Sequence, residues 1–127
     1  MYYTREYLNR AHREIDTIFR VLFPEHGMAV REEQIMLCHK MLDNLLGRNI
    51  ALCDAGVGIG KTYAYLVACV LMRKYSLLAE GCSPYEQRPV VISLPALHSR
   101  KQFLQNISLF SPGFFRRTGR FRPLLKL

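Results

Sequence analysis

Three stretches of the chain place apolar residues at three- and four-residue steps, the period of a helix with one buried face. In the first, Tyr3, Tyr7, Leu8, Ala11, Ile15, Ile18, Phe19 and Leu22 share a face over residues 3–22, and Arg5, Glu6, Arg10, Arg13, Glu14 and Arg20 stay off it. His12, with no second ligand at helical spacing, reads as a surface histidine. Phe23-Pro24-Glu25-His26-Gly27 ends that helix in a turn. A second helix opens at Arg31-Glu32-Glu33, with acids in the first turn where the helix dipole favours them, and it buries Ile35, Cys38, Met41, Leu42, Leu45 and Leu46 before Gly47 stops it. A third has a broad apolar face over Tyr63–Met72 and is expected to run to about Leu78. Two further apolar runs are short and continuous: Ile50-Ala51-Leu52-Cys53 and Val90-Val91-Ile92-Ser93-Leu94. Each reads as a buried strand, and two strands joined through a helix imply a right-handed parallel crossover. Pro95 ends the second run, and Ala96 to about Ile107 reads as another core-packed helix with Leu97, Phe103, Leu104 and Ile107 apolar. The pattern therefore predicts an α/β fold, with short parallel strands flanked by helices and preceded by an N-terminal helix.

Between the first expected strand and the third helix lies Asp54-Ala55-Gly56-Val57-Gly58-Ile59-Gly60-Lys61-Thr62. Strand, glycine-rich turn, Lys-Thr and helix is the order of a phosphate-binding loop. Glycines let successive backbone N–H groups converge on an anion that a Cβ would crowd. The helix N-terminus adds unpaired donors and the positive end of its dipole. Lys61 is placed to reach the β- and γ-phosphates of a nucleotide, and the Thr62 hydroxyl to ligate magnesium. The strict pattern begins with Gly where this chain has Ala55, while the four spacers and Gly60-Lys61-Thr62 are intact. The plainer alternative is a glycine-rich turn whose Lys61 is merely solvated.

Composition narrows the setting. Half of the 127 residues are hydrophobic, enough for a packed core in one domain or part of one. Met1-Tyr2-Tyr3-Thr4-Arg5-Glu6 is not the start of a signal peptide, and no apolar run is long enough to span a bilayer, so a cytoplasmic location is expected. Cys38, Cys53, Cys69 and Cys82 are widely spaced, the first three within apolar segments, and read as reduced core cysteines. The net charge of +8 is unevenly spread. Residues 1–86 carry ten basic and ten acidic side chains; residues 87–127 carry eight basic ones and no acid. Such a basic segment suits nucleic acid.

Three segments together resemble the N-terminal part of the first motor domain of superfamily 2 ATP-dependent DNA helicases of the DinG/XPD group. Arg31-x-x-Gln34-x-Met36 is similar to the segment that precedes the loop in that group. Asp54 to Leu66 is similar to its loop and helix start, and Val90-Val91-Ile92-Ser93 with Leu97 to Leu104 to its next motif. The resemblance covers about residues 30–106. It implies a partial RecA-like P-loop NTPase motor domain that binds ATP and Mg2+ through Ala55, Gly56, Val57, Gly58, Ile59, Gly60, Lys61 and Thr62. It implies Gln34 reading the adenine edge with Arg31 close by, since a glutamine amide donates and accepts at once. It implies Arg100 and Lys101 holding phosphates of single-stranded DNA. Val57 and Ile59 stand where the group has Thr, and Leu94-Pro95 where a Thr grips the DNA backbone. The four-cysteine iron–sulfur site of some members is not expected, because every cysteine precedes the third segment.

The expected organisation is a helical segment over 1–29, a partial motor domain over 30–106, and a basic irregular tail over 107–127. Phosphoryl transfer needs a carboxylate for magnesium and another for the water. No Asp or Glu follows Glu86, so the chain alone is not expected to hydrolyse ATP. The remainder of a helicase as a separate chain is then a possible partner. Two other readings stay open: a small basic nucleic-acid-binding or adaptor protein with a vestigial loop, and a kinase-type enzyme, which would need an acceptor-binding carboxylate downstream. The tail packs four phenylalanines and four arginines between Pro112, Gly113, Gly119 and Pro123 with neither helical nor alternating period. It reads either as a base-stacking, phosphate-pairing arm or as the product of a frameshift or truncation.

Overall fold

The computed structural model describes residues 5–56, 58, 60–80 and 90–93. The chain divides into two compact units, Met1–Gln87 and Arg88–Leu127. In the second, the described residues 90–93 carry no regular structure. In the first, α1 spans Arg5–Thr17, α2 is the single turn Phe23–Glu25, α3 spans Glu32–Leu46 and α4 spans Lys61–Glu80.

A π-helical turn over Ile18–Leu22 joins α1 to α2, closed by the Phe23 N–H donating to the Ile18 carbonyl. Pro24 explains it. In a uniform α-helix the proline ring would meet the Arg20 carbonyl and leave that carbonyl without a donor. One wider turn relieves the clash and inserts a residue into the apolar stripe. The stripe therefore passes through Ala11, Ile15, Ile18, Phe19 and then Phe23, not the Leu22 that uniform spacing predicts. The helix ends in a Schellman motif. Met28 N–H donates to the Phe23 carbonyl and Gly27 N–H to the Pro24 carbonyl, both at 3.0 Å, with Gly27 at φ +81°.

Partners along the helices give their directions. Arg20, late in the first helical rod, pairs with Glu32 at the start of α3, and His12, early in it, pairs with Asp43 near the end of α3. The rod therefore runs antiparallel to α3. Against α4, Tyr7 meets Tyr75, Glu14 meets Lys74 and Phe23 meets Tyr63, so it runs antiparallel to α4 as well. The N-termini of α3 and α4 consequently lie at one end. Their shared core is Ile35, Cys38, Leu42 and Leu46 from α3, with Ala64, Val67, Ala68, Leu71 and Tyr75 from α4. Ala11, Ala64 and Ala68 are fully buried, and their small side chains let the rods approach closely.

The expected α/β architecture is corrected by the structure. Among the described residues all regular structure is helical. Ile50–Cys53 is irregular, with Ile50 104 % and Leu52 101 % exposed. Val90–Ser93 is irregular too, and Val91 is exposed, while Leu94 lies outside the described residues. The physical reason is that a strand exists only as part of a ladder. A continuous apolar run signals burial but supplies no partner, and a lone extended segment leaves its backbone groups to water. A helix closes its own hydrogen bonds and needs neighbours only for its apolar stripe, which α1, α3 and α4 supply to one another. The helix expected over Ala96 to about Ile107 also lies outside the described residues.

Candidate phosphate-binding loop

The α3–α4 connection brings two helix N-termini to a glycine-rich turn. Leu46 ends α3; Asn49 N–H then donates to the Asn44 carbonyl at 2.9 Å and Arg48 N–H to the Leu45 carbonyl at 3.2 Å. The residue driven into the left-handed region is Arg48, at φ +56°, whereas Gly47, the expected stop, keeps φ −75°. The exposed run to Asp54 follows, then the loop, then α4 starting at Lys61.

Two side chains from the start of α3 hold the loop by its carbonyls. Arg31 Nη1 donates to the Gly58 carbonyl at 2.5 Å, and Gln34 Nε2 donates to the Gly60 carbonyl at 2.8 Å. Gln34 is a buried polar residue, only 4 % exposed. Its amide must have a partner there, since an unpaired buried amide is destabilising by about 1–3 kcal/mol. Gly58 and Gly60 adopt φ +85° and +79°, the left-handed region that a Cβ disfavours. At Gly60 the space is taken as well, because a Cβ would overlap Gln34 Nε2. At Gly56 and Gly58 no described atom lies within 4 Å of where a Cβ would stand, so the described residues leave that side of the loop open to an anion beside Lys61.

The Gly60 carbonyl also takes the long 3.5 Å bond from Ala64 N–H that begins the α4 ladder. A trans peptide sets C=O and N–H on opposite sides, so the Lys61 N–H points away from that carbonyl. It joins the unladdered N–H groups of the first turn. Lys61 is exposed at the first position of α4. Thr62 is half-buried, with the Tyr65 hydroxyl 3.5 Å from its Oγ1. Ala55 is half-buried and Gly56 exposed, while Val57 and Ile59 lie outside the described residues, as do Arg100 and Lys101. The structure thus brings Arg31 and Gln34 to the loop, and shows them gripping glycine carbonyls. Motif spacing carries no sign of that grip, because the residues involved are 26 and 27 positions apart.

Around the loop, Tyr63 packs edge-on to Phe23 at 5.6 Å, and burial pushes its hydroxyl above the usual range. The Arg20 guanidinium forms a bidentate pair with Glu32 at 2.6 and 2.8 Å and holds that carboxyl below its ordinary value. No helix among the described residues is long and apolar enough to cross a membrane. Among the same residues no group of three or more His, Cys, Asp or Glu side chains is placed to hold a metal ion.

Over 72 residues, 57% of this chain, the sequence is 26% identical to a protein of Bacillus subtilis (strain 168) described as "Probable ATP-dependent helicase YpvA". The chain spans 11% of that protein's length. The likeness is a distant one to a helicase. No family model matches the chain, and no solved structure does.

Proposed function

We propose that this chain is the ATP-binding part of a DinG/XPD-like ATP-dependent DNA helicase. The observation that carries the reading is the loop at the start of α4. Two positive-φ glycines have their carbonyls held by Arg31 and Gln34, beside Lys61-Thr62. That arrangement leaves backbone donors and the Lys61 charge for an anion, and the similarity to a described helicase agrees with it.

In this reading a nucleotide lies with its phosphates at residues 55–62. Lys61 contributes a charge-assisted bond to the β- and γ-phosphates, and the Thr62 hydroxyl helps hold Mg2+. Bound Mg2+ would neutralise phosphate charge. Gln34 is available to the adenine edge if its amide leaves Gly60, with Arg31 alongside. Single-stranded DNA is the proposed nucleic-acid partner, met through Arg100 and Lys101. Residues 87–127 carry no carboxylate, and the role proposed for these 127 residues is nucleotide binding.

Calorimetry with Mg-ATP tests this. A dissociation constant in the micromolar to millimolar range is expected, weakened by about tenfold or more in Lys61→Ala, since charge-assisted bonds to phosphate go with the ammonium. Equal affinity in both proteins, or no binding to either, would overturn it.

A further inference from the structure

Four side chains form an unbroken row across the seam between α1 and α3. Asp43 Oδ1 lies 2.6 Å from His12 Nε2. His12 Nδ1 lies 2.6 Å from His39 Nδ1, and His39 Nε2 lies 3.1 Å from Asp16 Oδ1. The two imidazoles meet edge to edge through these nitrogens, with ring centroids 4.9 Å apart and planes 26° from parallel. Both rings are half-buried, their side chains 28 % and 26 % exposed, and the two carboxylates at the ends face water.

The contacts set a proton inventory. A hydrogen bond needs one proton between its heavy atoms. Ionised carboxylates bring none, so the three contacts require three protons, all carried on ring nitrogens. Two neutral imidazoles carry two. With the proton of each neutral ring placed anywhere, at least one contact is left as lone pair against lone pair. Two imidazolium rings carry four, and then two N–H groups oppose each other between His12 and His39. Only a pair holding three, one ring charged and one neutral, satisfies the whole row.

We propose that Asp43, His12, His39 and Asp16 form a proton-counting clamp between α1 and α3, closed when the two rings together hold three N–H protons and loosened by the gain or loss of one. Arg20 Nε stands 3.7 Å from Asp16 and is shared with Glu32. Lys40, between His39 and Asp43 in sequence, is exposed. On α4, Lys74 is engaged by Glu14 and stands over the Tyr75 ring. The sign follows from linkage. The folded state prefers three protons, so stability falls as pH rises far enough to remove the third and falls again as pH drops far enough to add a fourth.

The test uses the full chain. Side-chain 1H–15N spectra should show His12 and His39 sharing three protonated ring nitrogens, with His26 as an internal comparison. Thermal melts across pH should show the wild-type midpoint falling on both sides of a maximum. Asp43→Asn discriminates a counting role from simple packing. The introduced amide can donate to His12 Nε2, so two ring protons then suffice and the alkaline loss disappears. Asp16→Asn makes the same test from the other end should the first variant not fold. Two rings that titrate independently of each other, or an Asp43→Asn melt with the wild-type pH profile, would overturn the proposal.

Discussion

Gln34 Nε2 donates to the Gly60 carbonyl at 2.8 Å, so a residue in the first turn of α3 fixes the peptide that starts α4. The same amide occupies the place where a Cβ on Gly60 would stand. Gly60→Ala therefore meets two penalties, left-handed φ at about 1–2 kcal/mol and overlap with Gln34. A fall in thermal midpoint of about 5 °C or more is expected. Adding Gln34→Ala should recover only the part due to overlap; a double variant as stable as wild type would show that the backbone angle carries no strain.

Gln34→Ala alone separates its two proposed roles. If Gln34 reads adenine, the preference for ATP over GTP narrows in competition binding. If it only grips the loop, affinity for both nucleotides falls together and the ratio stays unchanged.

Arg48 is a non-glycine residue at φ +56° directly after Gly47. Arg48→Gly removes the steric penalty of a Cβ at that angle and should stabilise the chain by about 0.5–1 kcal/mol in urea unfolding. A destabilised variant would mean that the arginine side chain contributes more than its backbone angle takes away.

Leu71 is fully buried between the helices and Leu52 is fully exposed. Leu71→Ala should destabilise by about 2–5 kcal/mol. Leu52→Ala should change stability by less than about 0.5 kcal/mol. Equal losses in denaturant melts would contradict the exposure of the Ile50–Cys53 run.

The thiols should separate by reactivity. Burial pushes Cys38 well above the usual thiol range and Cys69 up to about 11, whereas Cys53 is exposed. Iodoacetamide at neutral pH should label Cys53 ahead of Cys38 and Cys69, read by peptide mass spectrometry. A raised thiol value also means that the unfolded chain loses its proton sooner. The stability tied to Cys69 is complete below the unfolded value of about 8.5 and is lost as pH rises towards 11. Labelling of Cys38 or Cys69 ahead of Cys53 would show that the α3–α4 core opens readily.

Local chemistry determined much of this protein from sequence alone. Helical periodicity marked α1, α3 and α4, because each helix closes its own backbone bonds and shows its buried face at fixed steps. The positions needing glycine at residues 58 and 60, and Lys61 at the head of α4, are likewise local facts of a strand-free turn into a helix. What required the tertiary structure was pairing. Whether Ile50–Cys53 became a strand depended on a neighbour that its own residues cannot specify, and it stands exposed. Pro24 accounts for the π-helical turn locally, but that the turn delivers Phe23 to Tyr63 of α4 was visible only in the packing. Gln34 was chosen for the loop, and His12 for His39, by the antiparallel and parallel packing of three rods. Such packing joins residues 26 and 27 positions apart, a separation at which no local period operates.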